Sequence, residues 1–214
     1  MPPKSNEKVF WESRYLQSNI PWDINQAAPA FVKYLNEQKN VREGKVGVLG
    51  CGYGHDAFYF AEHKNQKTKK STFVVIGFDF AESAIKFCNN QKQEKKLENI
   101  FFYQANIFEL IQDKKWENSF DYIIEHTSLC AIDPSRRKEY IELIKYVLKP
   151  SGKIIGLFFI RPKELSGPPF GSSVEEIRDL FKEDFIEVEK LYLEKCLHKG
   201  KLEGEEYFGI FEKK

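Results

Sequence analysis

Apolar residues along this chain follow two patterns, and the two patterns alternate. Short runs rich in β-branched and aromatic residues predict seven strands, at residues 46–50, 73–79, 100–104, 121–125, 153–160, 185–193 and 207–212. Longer segments with helical spacing predict five helices, at residues 27–38, 55–63, 83–96, 134–148 and 174–181. Because strands that alternate with crossover helices form a parallel sheet covered on both faces, we predict an α/β fold with a Rossmann-like sheet.

The last two predicted strands depart from this alternation. Residues 194–206 separate them, and this connection has no helical spacing. A hairpin is the simplest connection, so we predict that the last strand runs antiparallel to the others. A chain of 214 residues supplies one core of ordinary size, and we expect a single domain over residues 1–214, with residues 64–71 as a surface insertion.

Composition narrows the possible partners. The 33 basic and 32 acidic residues nearly cancel, which argues against a protein that binds nucleic acid through bulk charge. No apolar run approaches the roughly 18–20 residues that cross a bilayer, so we expect no membrane association. The four cysteines are far apart and the four histidines lack ligand spacing. We therefore expect reduced thiols, no bound metal and a cytoplasmic protein.

A glycine-rich turn follows the first predicted strand and leads into a helix. Its glycines are Gly50, Gly52 and Gly54, and we expect Gly50 and Gly52 to let the backbone approach a ligand at the helix N-terminus. A dinucleotide-binding turn has the spacing G-x-G-x-x-G, whereas His55 occupies the position of the last glycine here. The turn matches neither the NAD fingerprint nor a P-loop, and a purely structural turn is the alternative.

Asp79 ends the second predicted strand, beside the strand that leads into the glycine turn. Its carboxylate is suited to accept hydrogen bonds from both hydroxyls of an adenosine ribose. The alternative is that Asp79 or Ser83 caps the following helix. Because the acid and the glycine turn are expected at the same sheet edge, together they favour a nucleoside site over either structural interpretation.

Two further strands are expected to end at this edge. The third leads to Asn106 and Ile107, where the amide would reach the edge of an adenine and the aliphatic side chain would pack on its face. A loop asparagine in a turn is the alternative. The fourth leads to His126, which is either a pocket residue near the reacting atoms or a histidine in a solvent-facing loop.

Several motifs occur together in an order that resembles a known family. They are Phe10-Trp11-Glu12, Pro21-Trp22-Asp23, Gly50-Cys51-Gly52 with His55-Asp56, Asp79 with Glu82-Ser83-Ala84, Cys130-Ala131-Ile132-Asp133-Pro134 with Arg137, Leu148-Lys149-Pro150-Ser151-Gly152, and Gly167-Pro168-Pro169-Phe170. From about residue 10 onward the chain resembles the thiopurine S-methyltransferase superfamily, in particular its thiol and halide methyltransferase branch. The resemblance implies a class I methyltransferase fold, S-adenosylmethionine as methyl donor, S-adenosylhomocysteine as product, and a small thiol, hydrosulfide or halide as acceptor.

The resemblance also implies a set of cofactor contacts: Trp11, Tyr15, Trp22, Gly50, Asp79, Asn106, Ile107 and His126. Trp11 and Tyr15 are four residues apart and hence on one helical face, and their π surfaces would attract a sulfonium cation. We therefore expect residues 1–40 to form a helical lid over the cofactor site. Without the resemblance, these aromatic residues would be interpreted as packing residues that hold the N-terminal segment on the core.

The acceptor side is less sharply defined. Relatives commonly carry tyrosine or arginine at the position of His126 and tryptophan at that of Tyr15, which suggests that His126 adjusts the choice of acceptor. His126 is also the candidate for a catalytic role, and His126 and Arg137 are candidate polar or electrostatic helpers of the transfer. Arg137 and Phe170 are candidate substrate contacts. The alternative for Arg137 is pairing with acids of its own helix such as Glu139 or Glu142. The alternative for Phe170 is that Pro168-Pro169-Phe170 only fixes the entry of the loop into the next helix.

The predicted function is therefore methyl transfer by in-line displacement in a dry pocket, from S-adenosylmethionine to a small-molecule nucleophile. The same fold also supports methyl transfer to oxygen, nitrogen or a metalloid. A nucleoside-binding module without catalytic activity is an alternative from another class. We expect a monomer in either case.

Overall fold

The computed structural model describes residues 5–38, 41–65, 68–161, 167–194 and 205–214. The strands are β1 (Gly44–Leu49), β2 (Phe73–Asp79), β3 (Ile100–Gln104), β4 (Phe120–His126), β5 (Leu148–Ile160), β6 (Phe185–Glu194) and β7 (Glu205–Lys213). The α-helices are α1 (Lys8–Leu16), α2 (Pro29–Glu37), α3 (His55–Glu62), α4 (Glu82–Lys95), α5 (Arg137–Val147) and α6 (Val174–Phe181). Within the described residues, four short 3₁₀ helices span Ile107–Gln112, Lys114–Trp116, Leu129–Ala131 and Pro134–Arg136.

All seven strands belong to one sheet, in the order β3-β2-β1-β4-β5-β7-β6. The pairs from β3 to β5 are parallel, whereas β7 is antiparallel to both β5 and β6. The predicted sheet and its antiparallel last strand are therefore confirmed. The strand order reverses between β1 and β4, and open sheets of this kind bind ligands beyond the strand ends at such a reversal.

Helices cover both faces of the sheet, and its central strands β1, β2, β4 and β5 are buried on both sides over most of their length. Neighbouring residues of β4 show this, because Ile124 packs in the core that contains Phe60 of α3, and Ile123 packs in the core that contains Ile144 of α5. Alternate residues of a strand point to opposite faces, so consecutive isoleucines serve two cores. This packing fixes the strand ends, and hence the loops that follow them.

The largest departures from the predicted elements lie near the N-terminus and around α5. The apolar pattern predicted no separate helix at Lys8–Leu16, although the helical lid expected over residues 1–40 includes this segment. The helix predicted at residues 134–148 begins as a 3₁₀ turn capped by Asp133, and its α-helical part starts at Arg137. Strand β5 starts at Leu148 because that residue pairs with Phe120 before a register shift in the ladder.

Two predicted surface segments are described only in part. Residues 64–71, predicted as an insertion, are closed by an isolated antiparallel bridge between Lys64 and Ser71. Of the connection between the last two strands, residues 195–204 lie outside the described part of the chain. None of the described helices is long and apolar enough to cross a membrane.

Candidate functional site

A cleft of about 210 Å³ opens at the carboxyl ends of β1, β2 and β4, beside the reversal of strand order. Its walls come from three sources: the turns after the parallel strands, the N-terminal segment, and the loop before α6. Of the residues predicted to contact the cofactor, all but Asn106 line this cleft. The carboxyl ends of the strands thus lie at the cleft, as expected for a sheet of this kind.

The glycine turn after β1 forms the floor of the cleft. Gly50 and Gly52 have φ angles of +68° and +54°, which side-chain-bearing residues rarely adopt. A Cβ atom on Gly50 would lie 2.7 Å from Ser128 Oγ, and one on Gly52 would lie 3.0 Å from the Tyr15 hydroxyl. Glycine avoids both the backbone strain and these close contacts, and the backbone of Gly50 and Gly52 lines the cleft.

Asp79 lies at the tip of β2 and holds the glycine turn in place. Its Oδ2 accepts a hydrogen bond from the amide of Gly52 at 2.8 Å, and its Oδ1 accepts one from the amide of Ala81 at 2.8 Å. Burial raises the pKa of Asp79 to about 6, although these amide bonds favour the charged form. A carboxylate has about four lone-pair sites, so both oxygens keep capacity for further donors.

The alternative that Asp79 or Ser83 caps α4 is wrong. The N-cap residue of α4 is Ala81, which has no side-chain cap. Ser83 Oγ instead donates to Glu12 of α1. Asp79 thus ties the strand-to-helix turn together through Ala81, in a cleft-lining position.

Three aromatic residues from the N-terminal segment cover the cleft. Trp11 packs edge-on against Trp22 at a centroid distance of 5.5 Å, and Tyr15 packs against the same ring at 5.9 Å. Tyr15 is buried and also contacts the ring of Tyr53 in the glycine turn, at 5.2 Å. Edge-to-face packing of this kind holds the rings in a fixed arrangement above the floor.

His126 ends β4 between two carboxylates. Its Nδ1 lies 2.8 Å from Asp56 Oδ2, and its Nε2 lies 3.5 Å from Glu206 Oε1. Burial opposes the charge on His126, but Asp56 and Glu206 outweigh it and raise the pKa of this imidazole to about 10. A histidine that already carries both protons at neutral pH has no free lone pair, so this geometry argues against a role as general base.

A family model described as thiopurine S-methyltransferase (TPMT) matches residues 6–212. The chain belongs to the thiopurine S-methyltransferase family. As a member of that family it is an S-adenosylmethionine-dependent methyltransferase, which confirms the predicted enzyme class.

Individual relatives agree with this assignment. The chain is 28% identical to thiocyanate methyltransferase 1 of Arabidopsis thaliana over an alignment of 180 residues. This alignment covers 83% of this chain and 73% of the relative. It is also 28% identical over 185 residues to thiopurine S-methyltransferase of Vibrio campbellii, covering 82% of each chain. Among solved structures, a Burkholderia thailandensis 1,6-didemethyltoxoflavin-N1-methyltransferase with bound S-adenosylhomocysteine superposes with a TM-score of 0.70 at 19% identity, over 96% of this chain and 86% of that one. This last likeness shows the fold.

The Asn106 side chain of this methyltransferase does not point into the cleft, where it was predicted to contact an adenine. Its Oδ1 accepts a hydrogen bond from the amide of Phe108 at 3.2 Å, and its Nδ2 donates to Glu109 at 3.1 Å. The side chain therefore caps the 3₁₀ helix Ile107–Gln112, as in the turn alternative, and does not line the cleft. Ile107 does line it.

Arg137 and Phe170 also lie behind the cleft wall of the methyltransferase. The Arg137 side chain is buried and donates to Glu176 Oε1 at 2.8 Å and to the Phe170 carbonyl at 3.3 Å. The suggested pairing of Arg137 with Glu139 is wrong, because Arg136 takes that carboxylate. The Phe170 amide donates to the Cys130 carbonyl at 2.6 Å, so these contacts fix the loop that carries Pro168 and Pro169 into the cleft.

The methyltransferase cleft contains residues that the sequence reasoning missed. Cys130 and Phe159 pack with Trp22 in a small apolar cluster on the β4 and β5 side of the cleft. Phe159 is near the carboxyl end of a predicted strand, so the strand-end rule would have found it. Asp56 lines the cleft as well. Its position directly after the glycine turn would have predicted this placement from the sequence.

Proposed function

We propose that this methyltransferase transfers the methyl group of S-adenosylmethionine to a small sulfur or halide nucleophile. The supporting observation is the meeting of the glycine turn with Asp79 at one sheet edge, joined by the 2.8 Å bond from the Gly52 amide. An exposed backbone turn and a carboxylate with spare acceptor capacity are the two features that an adenosine ribose needs.

The remaining cofactor contacts follow from this placement. With the ribose at Asp79, Ile107 from the next strand end is placed to pack on the adenine. The methionine part then extends towards β4, beneath Trp11, Tyr15 and Trp22. The π faces of these rings favour a sulfonium cation. S-adenosylmethionine supplies the electrophilic methyl group when it is bound.

The acceptor is assigned to the far side of this cation, at the ends of β4 and β5. Cys130, Phe159 and Trp22 make that side apolar, and an apolar site excludes water from a displacement in which charge is lost. We assign His126 a place in the wall of the acceptor side and no proton-abstracting role. We assign Arg137 and Phe170 to the support of that wall.

The names of the relatives support a sulfur-containing acceptor over an oxygen or nitrogen acceptor. Those named above are called a thiocyanate methyltransferase and a thiopurine S-methyltransferase. A thiol has a reference pKa of about 8.5, so part of it ionises near neutral pH without an enzyme base. Such an acceptor needs no general base, which agrees with a site whose histidine, His126, is already protonated.

The test is a comparison of acceptors under one set of conditions. The protein and S-adenosylmethionine are incubated with one acceptor at a time, and S-adenosylhomocysteine is quantified. The sulfur and halide acceptors are hydrosulfide, iodide, thiocyanate, a small aliphatic thiol and an aromatic thiol, and the comparison acceptors are a phenol, an amine and a metalloid oxyanion. We expect product with at least one sulfur or halide acceptor. Product only with a hydroxyl, amine or metalloid acceptor would contradict the proposed acceptor class, and cofactor binding without turnover on any acceptor would contradict transfer altogether.

A further inference from the structure

We infer that Glu12 is a positioning residue that fastens helix α1 over the cofactor site by capping helix α4 through Ser83. The inference rests on the proposed function, because it assumes that the cleft below α1 binds S-adenosylmethionine. It assigns a role to a residue that does not itself line the cleft.

The contact between the two helices is direct and has two hydrogen bonds. Glu12 Oε2 accepts from the Ser83 amide at 3.1 Å, and Glu12 Oε1 accepts from the Ser83 hydroxyl at 2.5 Å. Residues 12 and 83 are far apart in sequence, so this is a tertiary contact. The contact places the Glu12 carboxylate of α1 at the N-terminus of α4.

Helix α4 lacks a cap of its own. Its N-cap residue, Ala81, has no side chain that accepts a hydrogen bond. The first amides of a helix have no partner within it, and the helix dipole favours a negative charge there. Glu12 therefore supplies from another helix what a serine or aspartate usually supplies locally.

The charge state of Glu12 agrees with this role. Burial would raise the pKa of its carboxyl, but the hydrogen bonds from Ser83 outweigh that effect and lower it. Lys8 on the same helix adds to the lowering. The group that caps α4 is thus an anion at neutral pH.

The position of this contact connects it to the cofactor. Trp11 is adjacent to Glu12, and Tyr15 lies one turn later on α1. Helix α4 begins three residues after Asp79. The contact therefore joins the helix that carries two rings of the roof to the helix that directly follows the proposed ribose acid.

The segment after α1 is fastened in a similar way on α3. His55 Nε2 lies 3.0 Å from Asp23 Oδ1, next to Trp22, and the amide of Ala28 donates to Asp56 Oδ1 at 2.8 Å. Both partners are in the first turn of α3, which follows the glycine turn. The two halves of the N-terminal segment are thus attached to the two helices that start at the cofactor-binding turns.

The test is cofactor affinity in variants of this contact. Glu12→Ala removes both hydrogen bonds, whereas Ser83→Ala removes only the one from the hydroxyl and keeps the one from the backbone amide. Alanine is a good helix former, so neither change weakens its own helix, α1 or α4. We expect each variant to raise the Kd of S-adenosylhomocysteine and the KM of S-adenosylmethionine by roughly 5- to 30-fold. The KM of the acceptor should change by less than about twofold. A general loss of folding would instead lower the maximal rate and would not change the cofactor KM alone.

Three variants serve as controls. Glu82→Gln removes an exposed ion pair between the same two helices, Lys8 Nζ to Glu82 Oε2 at 3.8 Å, and should change cofactor affinity by less than about twofold. Ser83→Thr keeps the hydroxyl and should restore most of the affinity lost in Ser83→Ala. In the double variant Glu12→Ala/Ser83→Ala the affinity should be close to that of Glu12→Ala alone, because Glu12→Ala already removes both hydrogen bonds.

The two hypotheses fail in different ways. If the wild-type protein binds no S-adenosylhomocysteine, both the proposed site and this inference are wrong. If the wild type binds it and Glu12→Ala binds within twofold of wild type, or if the two losses add fully, the fastening role is wrong and the proposed site stands. Hydrogen exchange of α1 amides gives a second readout, since we expect exchange to rise in Glu12→Ala and to be unchanged in Glu82→Gln.

Discussion

Asp79 combines a structural and a binding role in one carboxylate. It already holds the amides of Gly52 and Ala81, and in the proposed complex it also accepts the ribose hydroxyls. Burial raises its pKa to about 6, so the carboxyl takes up a proton in a range where most aspartates are still ionised. Protonation removes the charge that the hydroxyls are proposed to bind.

We expect the affinity for S-adenosylhomocysteine to be highest above pH 6 and to fall below it, by up to about tenfold per pH unit for a single proton taken up. Titration calorimetry between pH 5 and pH 8 measures this dependence. Asp79→Asn should bind more weakly at pH 7.5, by about 1–3 kcal/mol, and should lack the inflection. Binding by Asp79→Asn at wild-type strength would contradict the ribose assignment.

His126 is the second residue whose charge can be tested directly. Asp56 and Glu206 raise its pKa to about 10 against the cost of burial. Since the folded-state pKa is raised, the stability from this charge is fully present below the unfolded value of about 6.5 and is lost as the pH rises through about 10.

The signal of His126 in histidine-labelled NMR spectra should therefore remain that of the protonated ring through pH 8.5. Its assignment comes from the resonance lost in His126→Gln. In Asp56→Asn the same signal should titrate at a lower pH, because the closest carboxylate is gone. A wild-type His126 that titrates near pH 6.5 would contradict the charged arrangement and would reopen the general-base hypothesis.

At the scale of elements, the strand ends were the most predictable part of the site. Buried β-strands have strong apolar runs, and their carboxyl ends placed Gly50, Asp79 and His126 at one edge. The apolar pattern did not predict helix α1, because its solvent-exposed face carries Val9 and Leu16, which are 65% and 71% exposed. With apolar residues on both its solvent face and its cleft face, it shows little amphipathic contrast.

Side-chain partners across long sequence distances were not predictable. Arg137 pairs with Glu176, which lies 39 residues away on α6, whereas local spacing pointed to Glu139. Asn106 likewise caps a 3₁₀ helix that the apolar pattern did not reveal. Helical spacing gives neighbours on one element only, so contacts between elements require the packed fold.

The glycine turn offers a prediction at this scale. In Gly50→Ala the new Cβ would be 2.7 Å from Ser128 Oγ, and the residue would keep a φ of +68°. We expect a loss of about 1–3 kcal/mol in the free energy of unfolding, measured by urea denaturation, together with a loss of cofactor binding. Adding Ser128→Ala relieves the close contact but leaves the backbone strain, and it also removes the buried hydrogen bond from Ser128 Oγ to the Leu49 carbonyl, so at most part of the stability should return. Wild-type stability of Gly50→Ala would contradict the geometry of the turn.

At the scale of the whole molecule, the strand order separates the two ligands of the reaction. The tips of β1 and β2 carry the proposed adenosine contacts, and the tips of β4 and β5 carry the apolar cluster assigned to the acceptor. The reversal between β1 and β4 lies at the boundary. The N-terminal segment spans this boundary, since it carries Tyr15 above the glycine turn and Trp22 against Phe159.

Because the cofactor is proposed to contact several elements at once, its binding should stabilise the entire fold. A ligand present at 100 times its Kd stabilises the native state by about 2.7 kcal/mol. For a chain of this length that corresponds to a rise in Tm of roughly 5–10 °C, measured by scanning calorimetry. NADH is the matched control, since it shares the adenosine ribose, but His55 stands where a dinucleotide-binding turn has its last glycine. S-adenosylhomocysteine should raise the Tm, and NADH at equal concentration should not. An equal rise with both ligands would contradict this prediction. It would mean that the site recognises only the adenosine part and that the methionine part lies outside the aromatic rings.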